Sequence, residues 1–114
     1  MLNYFFSKQL RLLNSTEFKY VFEKPFKKNT FAMCILGRDN LLGYPRLGIS
    51  ITRKNIKYAY QRNLIKRLIR ETFRLLQNKL ISMDFVVIAK KNIIYLNNQS
   101  ILNTLGNLWS YYYR

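Results

Sequence analysis

Residues 46–73 read RLGISITRKNIKYAYQRNLIKRLIRETF, and this stretch joins a strand to the longest helix that the chain predicts. Residues 46–52 alternate apolar with other side chains, which is typical of a β-strand. Residues 56 to about 80 contain no Gly or Pro and predict a long helix. The run MDFVVIA at residues 83–89 is almost wholly apolar, as in a strand that is buried on both faces. The sequence therefore predicts a strand–helix–strand unit at the centre of the fold.

A short helix precedes this unit. Asn14 and Glu17 have the spacing of a capping box, with Asn14 as the cap, and Pro25 ends the helix after about Glu23. The other predicted elements are a strand at residues 30–38, a turn at 39–45, a final helix capped by Asn97 or Asn98, and one extra short strand near residues 10–13. We therefore expect an α+β sandwich in the order α-β-β-α-β-α, forming a single domain over residues 1–114.

The charge is strongly unbalanced. Lys and Arg number 20 against 5 Asp and Glu, for a net charge of +15, while 49% of the residues are hydrophobic. A compact domain with this charge repels itself, and a polyanionic partner is the usual reason for such a surplus. We expect nucleic acid to be this partner rather than an anionic membrane.

The long helix predicts two adjacent faces. With about 100° per residue and Arg62 at zero, its apolar side chains fall in an arc from about 240° to 20°, as in a core-facing stripe. The polar and cationic side chains occupy about 0° to 140° and are Arg62, Asn63, Lys66, Arg67, Arg70 and Arg74. A solvated face normally mixes acids with bases, whereas Glu71 is the one acid between Asn40 and Met83. This arc, extended by Arg53 and Lys54 at the strand–helix junction, predicts a phosphate-binding surface.

Two pairs of aromatic residues are candidates for stacking on RNA bases. Phe18 and Phe22 are one turn apart on the first helix, and their spacing suits either a core position or an exposed platform. Tyr58 and Tyr60 stand at the start of the basic helix and are also candidates for RNA contact. The spacing alone does not decide between these alternatives.

The residues needed for protein-based catalysis are missing. The chain has no His, its lone Cys34 lies in an apolar run that predicts burial, and its five acids have no paired spacing. The four glycines do not form a phosphate-cradling loop. We expect no catalytic residue and no metal site in the polypeptide.

Neither end of the chain predicts a membrane segment. Residues 1–6 have no positive charge before their apolar side chains, unlike a signal peptide. Residues 92–113 are uncharged, but their many Asn and Gln side chains make them too polar for a membrane span. We expect a soluble, cytoplasmic protein.

The quoted stretch closely resembles the signature of the ribonuclease P protein subunit. The matching pieces are a Gly-x-Ser strand, a basic pair, and the pattern Arg-Asn-x-x-Lys-Arg-x-x-Arg-Glu that begins at Arg62. The resemblance continues through MDFVVIAKK at residues 83–91 to Leu108 and Trp109, and upstream through RLLNSTEFKYVF. It covers nearly the whole chain and is closest to the proteobacterial branch of the family.

This resemblance implies a fold and a function. The fold is an α/β sandwich whose small mixed sheet has a left-handed β-α-β crossover, related to the second domain of the fifth protein of the small ribosomal subunit. The basic helix contacts the catalytic RNA, and a cleft receives the 5′ leader of precursor tRNA, lined by Phe18 and Phe22 with Ser50 and Arg53 nearby. The protein assists removal of the leader, while the RNA subunit, with bound Mg²⁺, performs hydrolysis. The resemblance implies no obligate protein partner.

The chain departs from the family pattern at two positions. Leu64 stands where the motif often has a second Arg, which predicts slightly weaker RNA affinity. Cys34 falls near the position of a cleft tyrosine in some branches, which puts stacking there in doubt. The alternatives are a ribosomal or other structured-RNA-binding protein, or a DNA-binding helix-turn-helix protein, although the long helix lacks a short partner helix joined by a tight turn.

Overall fold

The computed structural model describes residues 10–12 and 14–114. The predicted segment at residues 1–6, and Leu13 of the extra strand, lie outside this range. The elements in chain order are α1 (Ser15–Glu23), β1 (Phe26–Asn29), β2 (Met33–Asp39), β3 (Arg46–Ser50), α2 (Ala59–Leu76), β4 (Met83–Ala89) and α3 (Asn98–Ser110), with short 3₁₀ turns at Gln77–Lys79 and Lys91–Tyr95.

The four strands form one mixed sheet in the order β1-β2-β4-β3. The pairs β1–β2 and β2–β4 are antiparallel, whereas β3 and β4 are parallel and α2 connects them. Two parallel strands that follow each other along the chain need such a crossover, because a tight turn between them would make them antiparallel. The predicted strand–helix–strand unit is thus confirmed, and the left hand of its crossover stays a prediction.

Each face of the sheet packs against a different helix layer. On one face, α2 and α3 bury the larger core, where the ring of Phe85 meets those of Trp109 and Tyr112 edge to face. On the other face, Val21 of α1 packs with a smaller cluster that includes Cys34 and Val86. Because successive residues of β4 point to opposite faces, this strand supplies both cores. This explains the continuous apolar run and confirms the predicted burial of Cys34.

The residues that cap the N-termini of α1 and α3 allowed these helix boundaries to be predicted from the sequence. The Asn14 side chain accepts a hydrogen bond from the Glu17 amide at 3.0 Å, and the Glu17 carboxylate accepts one from the Asn14 amide at 3.2 Å. The capping box is therefore confirmed. Asn97, rather than Asn98, caps α3 by accepting a hydrogen bond from the Ser100 amide at 2.8 Å.

Other boundaries differ from the prediction. The strand β1 was not predicted, because its sequence FKKN has no apolar alternation and all four residues are exposed at the sheet edge. The strand β2 begins at Met33 rather than at Thr30, whose hydroxyl accepts hydrogen bonds from the Ala32 and Met33 amides in the preceding turn. The extra strand is reduced to a single bridge between Arg11 and Leu47.

The helix α2 begins three residues later than predicted, at Ala59 instead of Ile56. Ile56 is fully buried, and its amide donates to the Thr52 carbonyl at 2.9 Å, so the chain makes a turn before the helix starts. Tyr58 then takes an extended conformation as the N-cap. The periodicity could not reveal this turn because Ile56 is apolar and fits either structure.

Candidate nucleic-acid interface

The helix α2 separates a buried stripe from a cationic surface, as its sequence predicts. Ile65, Ile69 and Phe73 are buried against the sheet and α3. Asn63, Arg67 and Arg70 are exposed, and Arg62, Lys66 and Arg74 are half-buried. The 3.6-residue period places these two sets on different sides of one cylinder. The same burial that anchors the helix thus orients its cations outward.

Within the described part of the chain, no carboxylate pairs with Lys66, Arg67 or Arg70. Their charges are therefore not neutralised by the protein, and they repel one another within about one helical turn. A phosphate chain that approaches this side relieves the repulsion and gains charge-assisted hydrogen bonds. We define Asn63, Lys66, Arg67 and Arg70 as the basic surface.

The two remaining arginines of the predicted arc have intramolecular partners. The Nη1 atom of Arg62 donates to the carbonyls of Ile56 at 2.9 Å and Lys57 at 2.8 Å. Arg74 forms an ion pair and a hydrogen bond with Glu71, which lower the pKa of that carboxyl. Arg62 thus fixes the turn before α2, and the Glu71 carboxylate partly offsets the charge of Arg74. The sequence did not reveal either partnership.

Arg53 and Lys54 extend the positive charge beyond the start of the helix. Both side chains are exposed in the turn between β3 and α2, ahead of the buried Ile56. Neither forms a salt bridge with any of the residues described. The turn itself is held by the Thr52 hydroxyl, which accepts a hydrogen bond from the Asn55 amide at 3.2 Å.

A cleft lies between α1, β3 and α2. The ring of Phe18 lies over Gly48, so close that a Cβ atom at Gly48 would be 2.6 Å from the ring tip. Only glycine permits this approach. Lys66 and Arg70 of the basic surface also line the cleft, with Arg11, Leu12, Leu47 and Ile49 completing the lining. The structure thus brings one predicted aromatic residue and two predicted cations together.

The other predicted cleft residues lie farther out. Phe22 is 45% exposed, whereas Phe18 is half-buried against the smaller core. Ser50 is on the same sheet face as Gly48, since the two are separated by one residue of β3, and it pairs in register with Ile88. Among the described residues, those that line the Phe18 cleft do not include Phe22, Ser50 or Arg53. The two phenylalanines therefore have different environments.

An ion-pair network around the buried Asp84 holds α1 against the sheet. The guanidinium of Arg46 donates twice to Asp84, at 2.8 and 2.7 Å, and once to Glu17 at 2.7 Å. Asn40 completes the cluster by donating to Asp84 at 2.9 Å. The hydrogen bonds to Asp84 raise the pKa of Arg46. This cluster fixes the helix that carries Phe18.

Sequence reasoning missed this network because its members are far apart in the chain. Four of the five acids pair with arginines: Glu17 and Asp84 with Arg46, Glu23 with Arg38, and Glu71 with Arg74.

The described residues contain no cluster of three His, Cys, Asp or Glu side chains that would hold a metal ion. No described helix has the length and apolar character needed to cross a membrane.

Known proteins share this fold and sequence. The family model for ribonuclease P matches residues 6–113. A ribonuclease P protein component from Buchnera aphidicola subsp. Schizaphis graminum is 71% identical over 114 residues, all of both chains. The corresponding protein of Pasteurella multocida is 50% identical over 109 residues, 96% of this chain and 92% of the relative.

Solved structures agree with these relatives. The Staphylococcus aureus RNase P protein has a TM-score of 0.84 at 26% identity, covering 90% of this chain and 94% of that one. The Thermotoga maritima RNase P protein has a TM-score of 0.77 at 28% identity, with 89% and 96% covered. The chain therefore belongs to the bacterial ribonuclease P protein component family, and so it takes part in tRNA processing within an endoribonuclease complex that includes the ribonuclease P RNA.

Proposed function

We propose that the protein binds the catalytic RNA through the basic surface of α2 and holds the 5′ leader of precursor tRNA in the Phe18 cleft. The observation that carries this proposal is the position of Lys66 and Arg70. Both belong to the basic surface and both line the cleft. One helix thus serves two neighbouring stretches of RNA.

The basic surface suits a folded RNA because its contacts are with phosphates rather than with bases. Lys66, Arg67 and Arg70 have no carboxylate partner within the described residues, so their positive charges are available to bind the phosphates of an RNA. Each phosphate that they neutralise releases counterions, which makes the affinity depend steeply on salt. Arg53 and Lys54 extend the same surface at the strand–helix junction.

The cleft suits a single strand. The half-buried ring of Phe18 offers an apolar surface on which an unpaired base can lie, and the cations of Lys66 and Arg70 stand beside it for the phosphates. Phe22, with 45% of its surface exposed one turn farther along α1, supplies a second aromatic surface next to the first. Ser50, on the same sheet face as Gly48, and Arg53, in the exposed turn after β3, extend the path of the strand.

The hydrolysis is carried out by the RNA subunit, which also holds most of the Mg²⁺. The polypeptide has no His, and four of its five carboxylates are engaged by arginines. A general base would need a free side chain such as an imidazole or a carboxylate, and a set of metal ligands would need several free carboxylates close together. The protein therefore assists by binding and positioning, and the products are the leader and a tRNA with a 5′-phosphate.

The decisive experiment is reconstitution. Purified protein, a ribonuclease P RNA and a precursor tRNA are combined at low Mg²⁺, and cleavage at the mature 5′ end is followed on gels. The expected result is that the protein raises the cleavage rate of the RNA and has no cleavage activity alone. Cleavage by the protein alone, or no effect on the RNA, would contradict the proposal.

A pair of variants separates the basic surface from general charge. Arg67→Ala removes an exposed cation of that surface, and Lys79→Ala removes an exposed cation beyond the end of α2. We expect Arg67→Ala to weaken binding of the ribonuclease P RNA and to reduce the salt dependence by about one counterion. The Lys79 variant should bind like the wild type, and both should keep the wild-type melting temperature, since neither side chain is in the core.

A further inference from the structure

The start of α2 carries a stacked pair of exposed tyrosines. The rings of Tyr58 and Tyr60 have centroids 5.6 Å apart and planes inclined by 22°. The side chain of Tyr58 is 51% exposed and that of Tyr60 is 69% exposed. The pair therefore presents a flat aromatic surface to solvent, outside both cores.

This stack depends on the turn before the helix. Residues two apart on an α-helix point about 200° away from each other, so two helical tyrosines at this spacing do not meet. Tyr58 is the N-cap, with φ −91° and ψ 133°, and its extended backbone turns its ring back toward that of Tyr60. The late start of α2 is thus what brings the two rings together.

The turn is held in place from both sides. Ile56 is fully buried and anchors the chain to the larger core, while Arg62 binds the carbonyls of Ile56 and Lys57. Asn55 reaches the Ala89 carbonyl of β4 at 3.5 Å. The tyrosine pair is therefore mounted on a fixed support, and ligand binding does not have to order it first.

The chemistry around the pair suits a nucleotide. The ammonium group of Lys57 lies 5.5 Å from the centroid of the Tyr58 ring. On the other side, Tyr60 lines an open depression together with Asn63, Leu64, Arg67 and Arg70. Aromatic faces take bases of any sequence, and flanking cations take their phosphates.

The pair lies away from the Phe18 cleft. Tyr60 is about 120° around the helix axis from Lys66, the cation on the cleft side of the basic surface. A strand in the cleft and a base on the tyrosines would thus occupy opposite edges of the basic surface. This separation favours the catalytic RNA over the leader as the source of the base.

We propose that Tyr58 and Tyr60 form a stacking platform for an unpaired base of the catalytic RNA, next to the phosphates held by Arg67 and Asn63. This inference rests on the proposed function. It assigns to the start of α2 a contact with a base, in addition to the phosphate contacts of its cations. Leu64, which replaces a cation of the family motif, lines the same depression as Tyr60 and adds an apolar side chain beside the platform.

The test compares Tyr58→Ala/Tyr60→Ala with Tyr58→Phe/Tyr60→Phe and with the matched exposed pair Tyr95→Ala/Tyr111→Ala. Binding of a ribonuclease P RNA is measured across a range of salt concentrations. Loss of a stacked base should weaken binding by about fivefold to a hundredfold for the alanine pair. The salt dependence should stay unchanged, because stacking releases no counterions. The phenylalanine pair and the matched pair should bind like the wild type.

Three results would overturn the platform. The first is that the alanine pair binds the RNA with wild-type affinity. The second is that the phenylalanine pair loses as much affinity as the alanine pair, which would point to the hydroxyl groups. The third is that the alanine pair has a reduced salt dependence of binding. A second measurement, precursor tRNA binding to the assembled complex, should give the same affinity for the alanine pair as for the wild type. A loss confined to that step would place the base in the substrate and refute the choice of catalytic RNA. If the wild-type protein fails to bind ribonuclease P RNA, the proposed function itself is wrong.

Discussion

The ion-pair network of Arg46, Glu17 and the buried Asp84 offers the sharpest test of how the fold supports the cleft. In the variant Arg46→Met, the aliphatic stem is kept and the guanidinium is lost. The side chain of Asp84 is 3% exposed. In the variant it still accepts a hydrogen bond from Asn40, but it loses the positive charge of Arg46. Glu17 loses its bond to the sheet at the same time. The change thus leaves a buried carboxylate without its cation and removes one of the polar contacts between α1 and the sheet.

The expected loss of stability follows from this burial. Removing one partner of a buried ion pair costs about 3–5 kcal/mol. The Arg46 side chain is 19% exposed, so water partly replaces it and we expect the lower end, about 3 kcal/mol. A domain of this size has a total stability on the order of 5–15 kcal/mol, so the loss is a large share. At about 4 °C per kcal/mol, the melting temperature should fall by about 12 °C.

Urea and thermal unfolding, followed by circular dichroism, measure this loss. The control is Arg74→Met, which breaks the more exposed, solvent-screened pair with Glu71 and should leave the free energy of unfolding near that of the wild type. Asp84→Asn and the double variant complete a thermodynamic cycle. Because the two residues interact directly, the double variant should lose clearly less than the sum of the single losses.

A loss below about 1 kcal/mol for Arg46→Met would refute the reasoning, since it would mean that Asp84 is not buried with an unmet charge. Additive single losses in the cycle would refute it as well. The expected result has a functional consequence. Since Phe18 follows Glu17 directly on α1, loosening this helix should also weaken binding in the cleft, even though Arg46 does not line it.

Three further predictions test single contacts. Gly48→Ala should displace the Phe18 ring and destabilise the protein by about 1 kcal/mol. Adding Phe18→Leu to this variant should relieve the clash with the ring, and urea unfolding of the single and double variants measures both effects. Arg62→Ala should lower the free energy of unfolding by about 1 kcal/mol because two backbone carbonyls lose their donor, and an unchanged value would mean that these bonds are not formed in solution. Burial raises the pKa of the Cys34 thiol in the folded protein, so the unfolded chain loses the thiol proton at lower pH than the folded chain does. The free energy of unfolding should therefore fall as the pH rises above about 8.5, and replacement of Cys34 by Ala should remove that part of the pH dependence.

The parts of the fold that the sequence predicted are those with local causes. The capping box needs two residues three apart, and the stripe of Ile65, Ile69 and Phe73 needs only the helical period. The strand β4 is recognisable because burial on both faces removes all polar residues from its middle. In contrast, β1 is an exposed edge strand whose pairing with β2 depends on the rest of the sheet.

The same distinction applies to the candidate site. The basic surface was predicted because its cations share one side of one helix. The cleft could not be placed by spacing, because Phe18 meets Gly48 across 30 positions of sequence and Lys66 reaches the same place from a third element. For this reason the spacing of Phe18 and Phe22 left open both a core and an exposed role, and the structure shows one half-buried and one exposed ring.

Arg62 shows why a shared helix face does not imply a shared role. It lies on the border of the basic arc, one turn after the N-cap, and its guanidinium is therefore close to the carbonyls of the preceding turn. Arg67 lies near the middle of the exposed side, where no backbone acceptor is within reach among the residues described. The same residue type in the same motif thus supports the turn at one position and remains available to RNA at the other. Position relative to the helix end, rather than charge alone, decides which arginines of the motif are free for a ligand.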